Sequence, residues 1–525
     1  MVLSIAFCVR IRLLTVPLER DEGEFAYMGQ LILKGIPPYT HAYTMKLPGV
    51  STIYALIMAL FGQTPAGIHL GFLVVNGICT ALVFLLARQL YDRDTALISC
   101  SCYALLSLSQ SVFGIAAHAT HFVTLFSLAG FILLRSPFKS DRIRTVFLFL
   151  SGLCFGLAVT MKQHAVLQAL FAPVYLAKRG AGGPACKTKY SAGRIALFLA
   201  GSVIPYAIVV FSAGNAGVFD KFWFWTVHYA GNYSTGPTFA EGVRMLVSSF
   251  SALVKPQLLL WFLAGVGAAT LLTQRGRNSD RFFLTGFAIF SFLAVCPGFY
   301  FRSHYFVLIL PVVALLIGNF FHAVRISPTK GKPGRFQIWA PILLICSAIS
   351  YGIFQEREYL FTLPPNRVSR TLFVTNPFPE ALQIAHYIKD HCSPDDRIAV
   401  FGSEPELYFY ADRLSATGHI YMYGLMEYQP YAEQMQQEMI REIALAKPKY
   451  IVMVHIQKSW LARPSSINTV IDWADSYVHA QYDLVGGIDI IDFYTTRYLW
   501  DERASGYTPI SDSFLTVFKR RENAN

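Results

Sequence analysis

Apolar windows of about 20 residues, long enough to cross a bilayer core as helix, recur from the N-terminus to Phe354. A soluble fold has no way to hide that much apolar surface. Ten windows are clear: Pro65 to Leu86, Thr95 to Ala116, His118 to Leu134, Val146 to Thr160, Ala165 to Ala177, Ile195 to Ser212, Pro256 to Leu272, Phe282 to Pro297, His304 to Phe321 and Phe336 to Phe354. An eleventh, Val2 to Val16, is short and carries Arg10 and Arg12. Either the chain starts late or this helix sits against protein, and it lacks the cleavage pattern of a secretory signal. The expectation is an α-helical polytopic membrane protein with about eleven transmembrane helices.

Charge supplies the topology. Of the positive residues in loops, 18 fall in one alternating set, among them Arg135, Lys139, Arg275, Lys330 and Arg335, and 8 in the other. Cytoplasmic loops collect Lys and Arg, so the first set is expected inside the cell and everything after Phe354 outside. The net charge of +12 does not indicate nucleic-acid binding. Residues 1–354 hold 28 Lys and Arg against 10 Asp and Glu, whereas residues 355–525 hold 16 against 22. Nine cysteines lie mostly in spans, with only Cys392 in the exported part, and imply no disulfide framework.

Charge and proline frequency rise after Phe354, and Pro364-Pro365 marks a linker. Residues 1–354 are therefore read as the membrane domain and 355–525 as a soluble extracytoplasmic α/β domain. Strand-like runs at Arg397 to Phe401, Tyr450 to Val454 and Phe514 to Phe518 alternate with helical patterns at Pro379 to Asp390, Tyr431 to Ala446 and Ile467 to Tyr477. That alternation predicts a largely parallel sheet. Gly402-Ser403-Glu404-Pro405-Glu406 lacks the glycine spacing of a dinucleotide loop and reads as a turn into a helix whose N-terminus favours acids.

The chemistry concentrates in one window. Glu19, Asp21, Glu22 and Glu24 place four of the membrane half's 10 acids within six residues, just beyond the first helix. Asp21 and Glu24 fit a capping-box start for an interfacial helix with Phe25, Met28 and Ile32 on its apolar face. Capping explains one or two carboxylates but not the following loop, where Pro37-Pro38-Tyr39 imposes an extended turn. Tyr43-Thr44-Met45-Lys46-Leu47-Pro48-Gly49 then sets one cation before an apolar run.

Arg20-Asp21-Glu22-Gly23-Glu24-Phe25-Ala26-Tyr27, Lys34-Gly35, Pro38-Tyr39 and Lys46-Leu47-Pro48-Gly49 resemble the first external loop of GT-C glycosyltransferases. More narrowly, they resemble the family of the protein O-mannosyltransferases and the lipid A aminoarabinose transferase. The likeness continues through Gly156-Leu157-Ala158 to Lys162 and at His304-Tyr305 to Leu316. It implies inverting transfer of a sugar from a polyprenyl-phosphate donor to an envelope lipid, glycan or protein acceptor at the outer face.

By the family's pattern Lys46 and Lys162 contact the donor phosphate and Asp21 is the catalytic acid residue, with Glu22 the second choice. The physics agrees. A phosphate leaving group needs cations, which the external loops supply as Lys46, Lys162, Arg302 and a protonated His304; each lysine or arginine is otherwise a snorkelling anchor. An acceptor hydroxyl or amine needs a carboxylate to take its proton. Tyr43 and Tyr305, inside the same motifs, are assigned to the substrate pocket.

Related enzymes often carry a second carboxylate where this chain has His118-Ala119-Thr120-His121. His118 and His121 could bind a divalent metal with Asp21 or Glu22, or be interfacial polar residues; no other cofactor is expected. Trp223, Trp225, Tyr229 and Tyr233 read first as an interfacial aromatic belt and second as a lid, and Asn232-Tyr233-Ser234 is a sequon match with no assigned function. Two rival readings stay open: a polyprenyl-phosphate-linked lipid transporter or flippase, and a non-catalytic scaffold of the same fold.

Overall fold

A computed structural model describes residues 1–137, 140–180, 186–233, 237–273, 278–325 and 335–522. Lys139, Arg275, Arg277, Lys330 and Lys332 of the charge count, and Ser234 of the sequon, lie outside the described residues. Among the described residues, the first 355 form helices joined by turns, with no strand. Five helical stretches among the described residues are long and apolar enough to cross a membrane: Pro65–Leu90, Asp141–Met161, Ala192–Asn215, Phe239–Leu271 and Ser303–Arg325. Shorter apolar helices accompany them at Gly49–Phe61, Ala119–Arg135, Ala165–Lys178 and Trp339–Gln355. The chain is a multi-pass membrane protein.

Two expected spans and one stretch outside the expected spans differ from the expectation. The helix Val2–Arg12 has 11 residues, a rise of about 16 Å, too short to cross the bilayer core. It sits against protein: Arg10 donates to the carbonyls of Ser107 and Gly114, and Arg12 to those of Tyr359, Leu360 and Leu363. The window Thr95 to Ala116 is not one helix either. Its helix ends at Leu106, and the carbonyls freed beyond it include those that Arg10 caps. Phe239–Val254, outside every expected span, is a helix with a capping box between Thr238 and Glu241.

Beyond the linker a six-stranded sheet forms from β1 (Arg397–Phe401), β2 (Leu414–Ser415), β3 (Tyr450–His455), β4 (Tyr482–Ile490), β5 (Thr496–Trp500) and β6 (Phe514–Arg520), in the order β2-β1-β3-β6-β4-β5. Only β2-β1 and β1-β3 pair in parallel; the other three pairs are antiparallel, so the sheet is mixed rather than largely parallel. The missed strand β4 contains Gly486-Gly487, which reads as a strand breaker. A Cβ at Gly486 would stand 2.5 Å from the Trp500 ring, and the register slips between Leu484 and Gly486. Glycine there admits the indole and the bulge.

The C-terminal sheet domain packs directly on the helix Arg20–Leu33. Tyr410 accepts from the Leu18 amide, Tyr27 accepts from the Ser415 amide, and the Tyr27 and Tyr408 rings lie 5.2 Å apart. A Cβ at Gly23 would approach the Glu406 backbone to 2.7 Å, so glycine is what lets the two elements touch. The 402–406 turn is structural, and it docks on the acidic window.

Candidate active site

The helix Arg20–Leu33 starts two residues earlier than the sequence suggests. Glu19 is the N-cap: its carboxylate accepts from the Glu22 amide at 3.0 Å, and the Glu22 carboxylate accepts from the Glu19 amide at 3.3 Å. That capping box occupies Glu19 and Glu22 and leaves Asp21 and Glu24 to the cavity side. The other oxygen of Glu22 accepts from the Ala117 amide at 2.6 Å and lies 3.1 Å from His69 Nε2. With 1% of its surface exposed, Glu22 is turned away from the cavity.

Asp21 and Glu24 both reach Lys46, at 2.8 Å and 2.6 Å from Nζ. The loop carrying Lys46 is pinned on three sides: Tyr39 donates to the Lys46 carbonyl, Gln163 donates to that of Met45, and the Tyr43 amide donates to Gly418. Gly49 meets the end of the helix Asp141–Met161 so closely that a Cβ would stand 2.5 Å from the Thr160 carbonyl. The same contact brings Lys162, which caps that helix, to the cavity of Lys46. Lys162 Nζ lies 3.7 Å above the Tyr305 ring, a cation–π contact.

The third wall comes from the turn at 302–305. Thr120 donates to the His304 carbonyl at 2.8 Å, which sets the His118 and His304 rings parallel at 4.2 Å. His304 Nε2 stands 3.8 Å from the second Asp21 oxygen, and Arg302 lines the cavity beside them. The cavity measures about 740 Å³ and is roofed by the C-terminal residues Phe373, Asn376, Tyr421, Tyr423 and Lys458. Tyr421, which the sequence reading missed, donates to Asp21 at 3.3 Å. The one signal for it was the polar and aromatic run His419-Ile420-Tyr421-Met422-Tyr423.

Eight expected site residues meet around this cavity: Asp21, Tyr43, Lys46, His118, Lys162, Arg302, His304 and Tyr305. Glu22 and His121 do not. His121 is buried with its ring against Phe72 at 4.7 Å, one helical turn along from His118 and facing the core. The candidate metal set is instead Asp21, His118 and His304, whose ligand atoms lie within 4.8 Å of one another. Both His118 ring nitrogens are buried without a hydrogen-bond partner, Glu19 standing 3.4 Å from one of them. Trp225 and Tyr229 form no interfacial belt: both are buried, Trp225 stacks on Tyr43 at 5.7 Å, and Tyr229 donates to Glu427 of the C-terminal sheet domain.

The electrostatics follow from this packing. Burial, the largest single influence, pushes the Asp21 carboxyl up, but Lys46, His304 and His118 together outweigh it and hold it well below the ordinary carboxylate range. Burial likewise works against the charged form of Lys46, and Asp21 and Glu24 outweigh it, so its pKa rises. Lys162 has no carboxylate that close. Burial lowers it to about 7, with Asp21 opposing and Lys46 and Arg302 adding to the shift. Burial also lowers His118 to about 4, so its imidazole is neutral and free to ligate.

This helical body with a roofed polar cavity aligns with several solved membrane enzymes. ArnT from Cupriavidus metallidurans, solved bound to undecaprenyl phosphate, superposes with a TM-score of 0.62 at 14% identity over 100% of this chain and 98% of that one. Residues 44–208 match the family model described as dolichyl-phosphate-mannose-protein mannosyltransferase. The chain has the GT-C fold of the ArnT type. Other GT-C structures align less closely. The oligosaccharyltransferase AglB from Archaeoglobus fulgidus gives a TM-score of 0.51 at 11% identity over 97% of this chain and 74% of that one. The arabinofuranosyltransferase AftD from Mycobacteria gives 0.53 at 12% identity over 100% and 40%. No curated protein matches the GT-C chain by sequence at a significant level.

Proposed function

We propose that this protein is an inverting glycosyltransferase that moves a sugar from a polyprenyl-phosphate donor to an envelope lipid, glycan or protein acceptor at the outer face of the membrane. The observation that carries the reading is the convergence of the Asp21 carboxylate with the cations Lys46, Lys162 and Arg302 on a single cavity. The ArnT likeness supports the donor class, because that protein was solved with undecaprenyl phosphate.

The donor phosphate enters among Lys46, Lys162 and Arg302. Lys46 then has a second anion to serve, and its hold on Asp21 weakens as it turns to the phosphate. The acceptor oxygen or nitrogen attacks the anomeric carbon from the face opposite the phosphate and the bond from that carbon to the phosphate oxygen breaks. The leaving phosphate keeps the electron pair and its charge is met by the three cations. The acceptor proton passes to Asp21 and from there to solvent. Lys162, poised near neutrality, gains its proton most readily when an anion sits beside it.

Asp21, His118 and His304 also fit a divalent cation, since one carboxylate and two neutral imidazoles are a common donor set for zinc and other transition metals. A cation held there would add positive charge beside the phosphate. Tyr43 and Tyr305 form the aromatic walls, and the soluble domain is proposed to lie outside the cell, as the charge bias predicts.

The test is transfer from radiolabelled undecaprenyl-phosphate hexoses and pentoses in membranes sealed with the soluble domain outward. The reading expects one donor to label an envelope fraction with release of undecaprenyl phosphate. Movement of the intact donor lipid across the bilayer without release of its phosphate would make the protein a transporter, and binding with neither outcome a scaffold.

A further inference from the structure

We propose that the soluble domain completes the catalytic site, with Tyr421 a positioning residue that holds Asp21 in its reactive rotamer; the inference rests on the reading of Asp21 as the base. Tyr421 lies 400 residues from Asp21 in sequence, and its hydroxyl donates to Asp21 Oδ1 at 3.3 Å. Its ring also stands 5.7 Å from Lys46 Nζ. It therefore touches both halves of the Asp21–Lys46 pair.

Tyr421 is itself held rigidly, and by the residue next to Asp21. Arg20 donates to Glu404 at 2.9 Å, to Tyr423 Oη at 2.7 Å, to Asn376 at 3.0 Å and to the Ser403 carbonyl. Tyr423 in turn donates to the Lys458 carbonyl and stands edge-on to Tyr421 at 4.9 Å. Ser403 Oγ accepts from the Met422 amide at 2.9 Å. Arg20 and Glu404 are both buried, so the pair is desolvated and costly to separate. One arginine thus fixes the helix start that carries Asp21 and the loop that carries Tyr421 in a single frame.

The chemistry gives that frame a purpose. Lys46 must release Asp21 to serve a phosphate, and without a second partner the carboxylate would lose its orientation at that moment. A phenol donor keeps Oδ1 in place without neutralising the charge as an ammonium does. Oδ2, on the His304 side of the cavity, stays open to receive the acceptor's proton.

The experiment uses the full chain in detergent, with whichever radiolabelled undecaprenyl-phosphate pentose or hexose is turned over best and a native envelope extract as acceptor. Tyr421→Phe keeps the ring and removes only the hydroxyl. It is expected to lower kcat about ten-fold while donor KM stays within about two-fold and the melting temperature is unchanged. In an Asp21→Asn background the same change should cause no further loss. Wild-type kcat in Tyr421→Phe overturns the inference, as does an equal loss in both backgrounds. A Tyr421→Phe chain that no longer melts cooperatively makes the hydroxyl structural and overturns it too. Full activity in Asp21→Asn alone is a distinct result, which removes the base assignment and this inference with it.

Discussion

Lys46 Nζ lies 2.8 Å from Asp21 Oδ1, so the proposed phosphate ligand and the proposed base are paired with each other before substrate arrives. Each masks the other in the resting site. The pairing makes donor binding a switch, because a phosphate that draws Lys46 away also restores the basicity of Asp21.

Lys46→Met should weaken undecaprenyl-phosphate binding about ten-fold or more, since a charge-assisted contact contributes roughly 1.5 to 3 kcal/mol. Lys46→Arg should recover only part, because a planar fork cannot sit between Asp21 and Glu24 as an ammonium does. Equilibrium binding to both variants measures this. Unchanged affinity in Lys46→Met would make the lysine a structural counter-ion only.

Lys162 gives donor binding a pH dependence. Its pKa of about 7 means it is charged below pH 7 and neutral above. A bound phosphate favours the charged form, so affinity is highest below pH 7 and falls above it, by up to about ten-fold per unit. The donor's phosphodiester keeps its single negative charge across this range, and the comparison with Lys162→Met at each pH isolates the lysine. The difference between the two curves should shrink as pH rises through 7 and beyond. A constant difference from pH 6 to pH 9 would show that Lys162 does not titrate there.

Glu22→Gln should cost stability rather than chemistry. The carboxylate accepts from the Ala117 and Glu19 amides and pairs with His69, and losing the charge weakens buried bonds by about 2 kcal/mol in total. Lower thermal stability in detergent with near-normal transfer per folded molecule is the expected result. A large fall in turnover with unchanged melting would return Glu22 to the catalytic role.

The Glu22 assignment shows where sequence reading stops. Glu19 to Glu22 and Asp21 to Glu24 are both three residues apart, so either pair fits a capping box. The choice is made by tertiary contacts, Arg20 on Glu404 and the Leu18 amide on Tyr410, which no local pattern encodes. Lys46, Lys162 and Asp21 were legible because they sit in motifs. His304 takes the place expected of His121 because Thr120 anchors the 302–305 turn beside His118, a contact across 184 residues. Tyr421 was missed for the same reason, its bond to Asp21 spanning 400 residues. In the C-terminal sheet domain β1, β3 and β6 were legible as apolar runs, whereas β4 was hidden by Gly486-Gly487, the first of which admits Trp500.

The central claim is that the Asp21 carboxylate takes the acceptor's proton. Asp21→Asn preserves size and leaves the Glu19–Glu22 cap untouched, so folding is not at stake in the comparison. Turnover should be measured with saturating donor and the true acceptor on folded, purified protein. The account predicts a fall of about 10² to 10⁴ in kcat, with donor binding retained. Turnover within a few-fold of wild type in Asp21→Asn would contradict it.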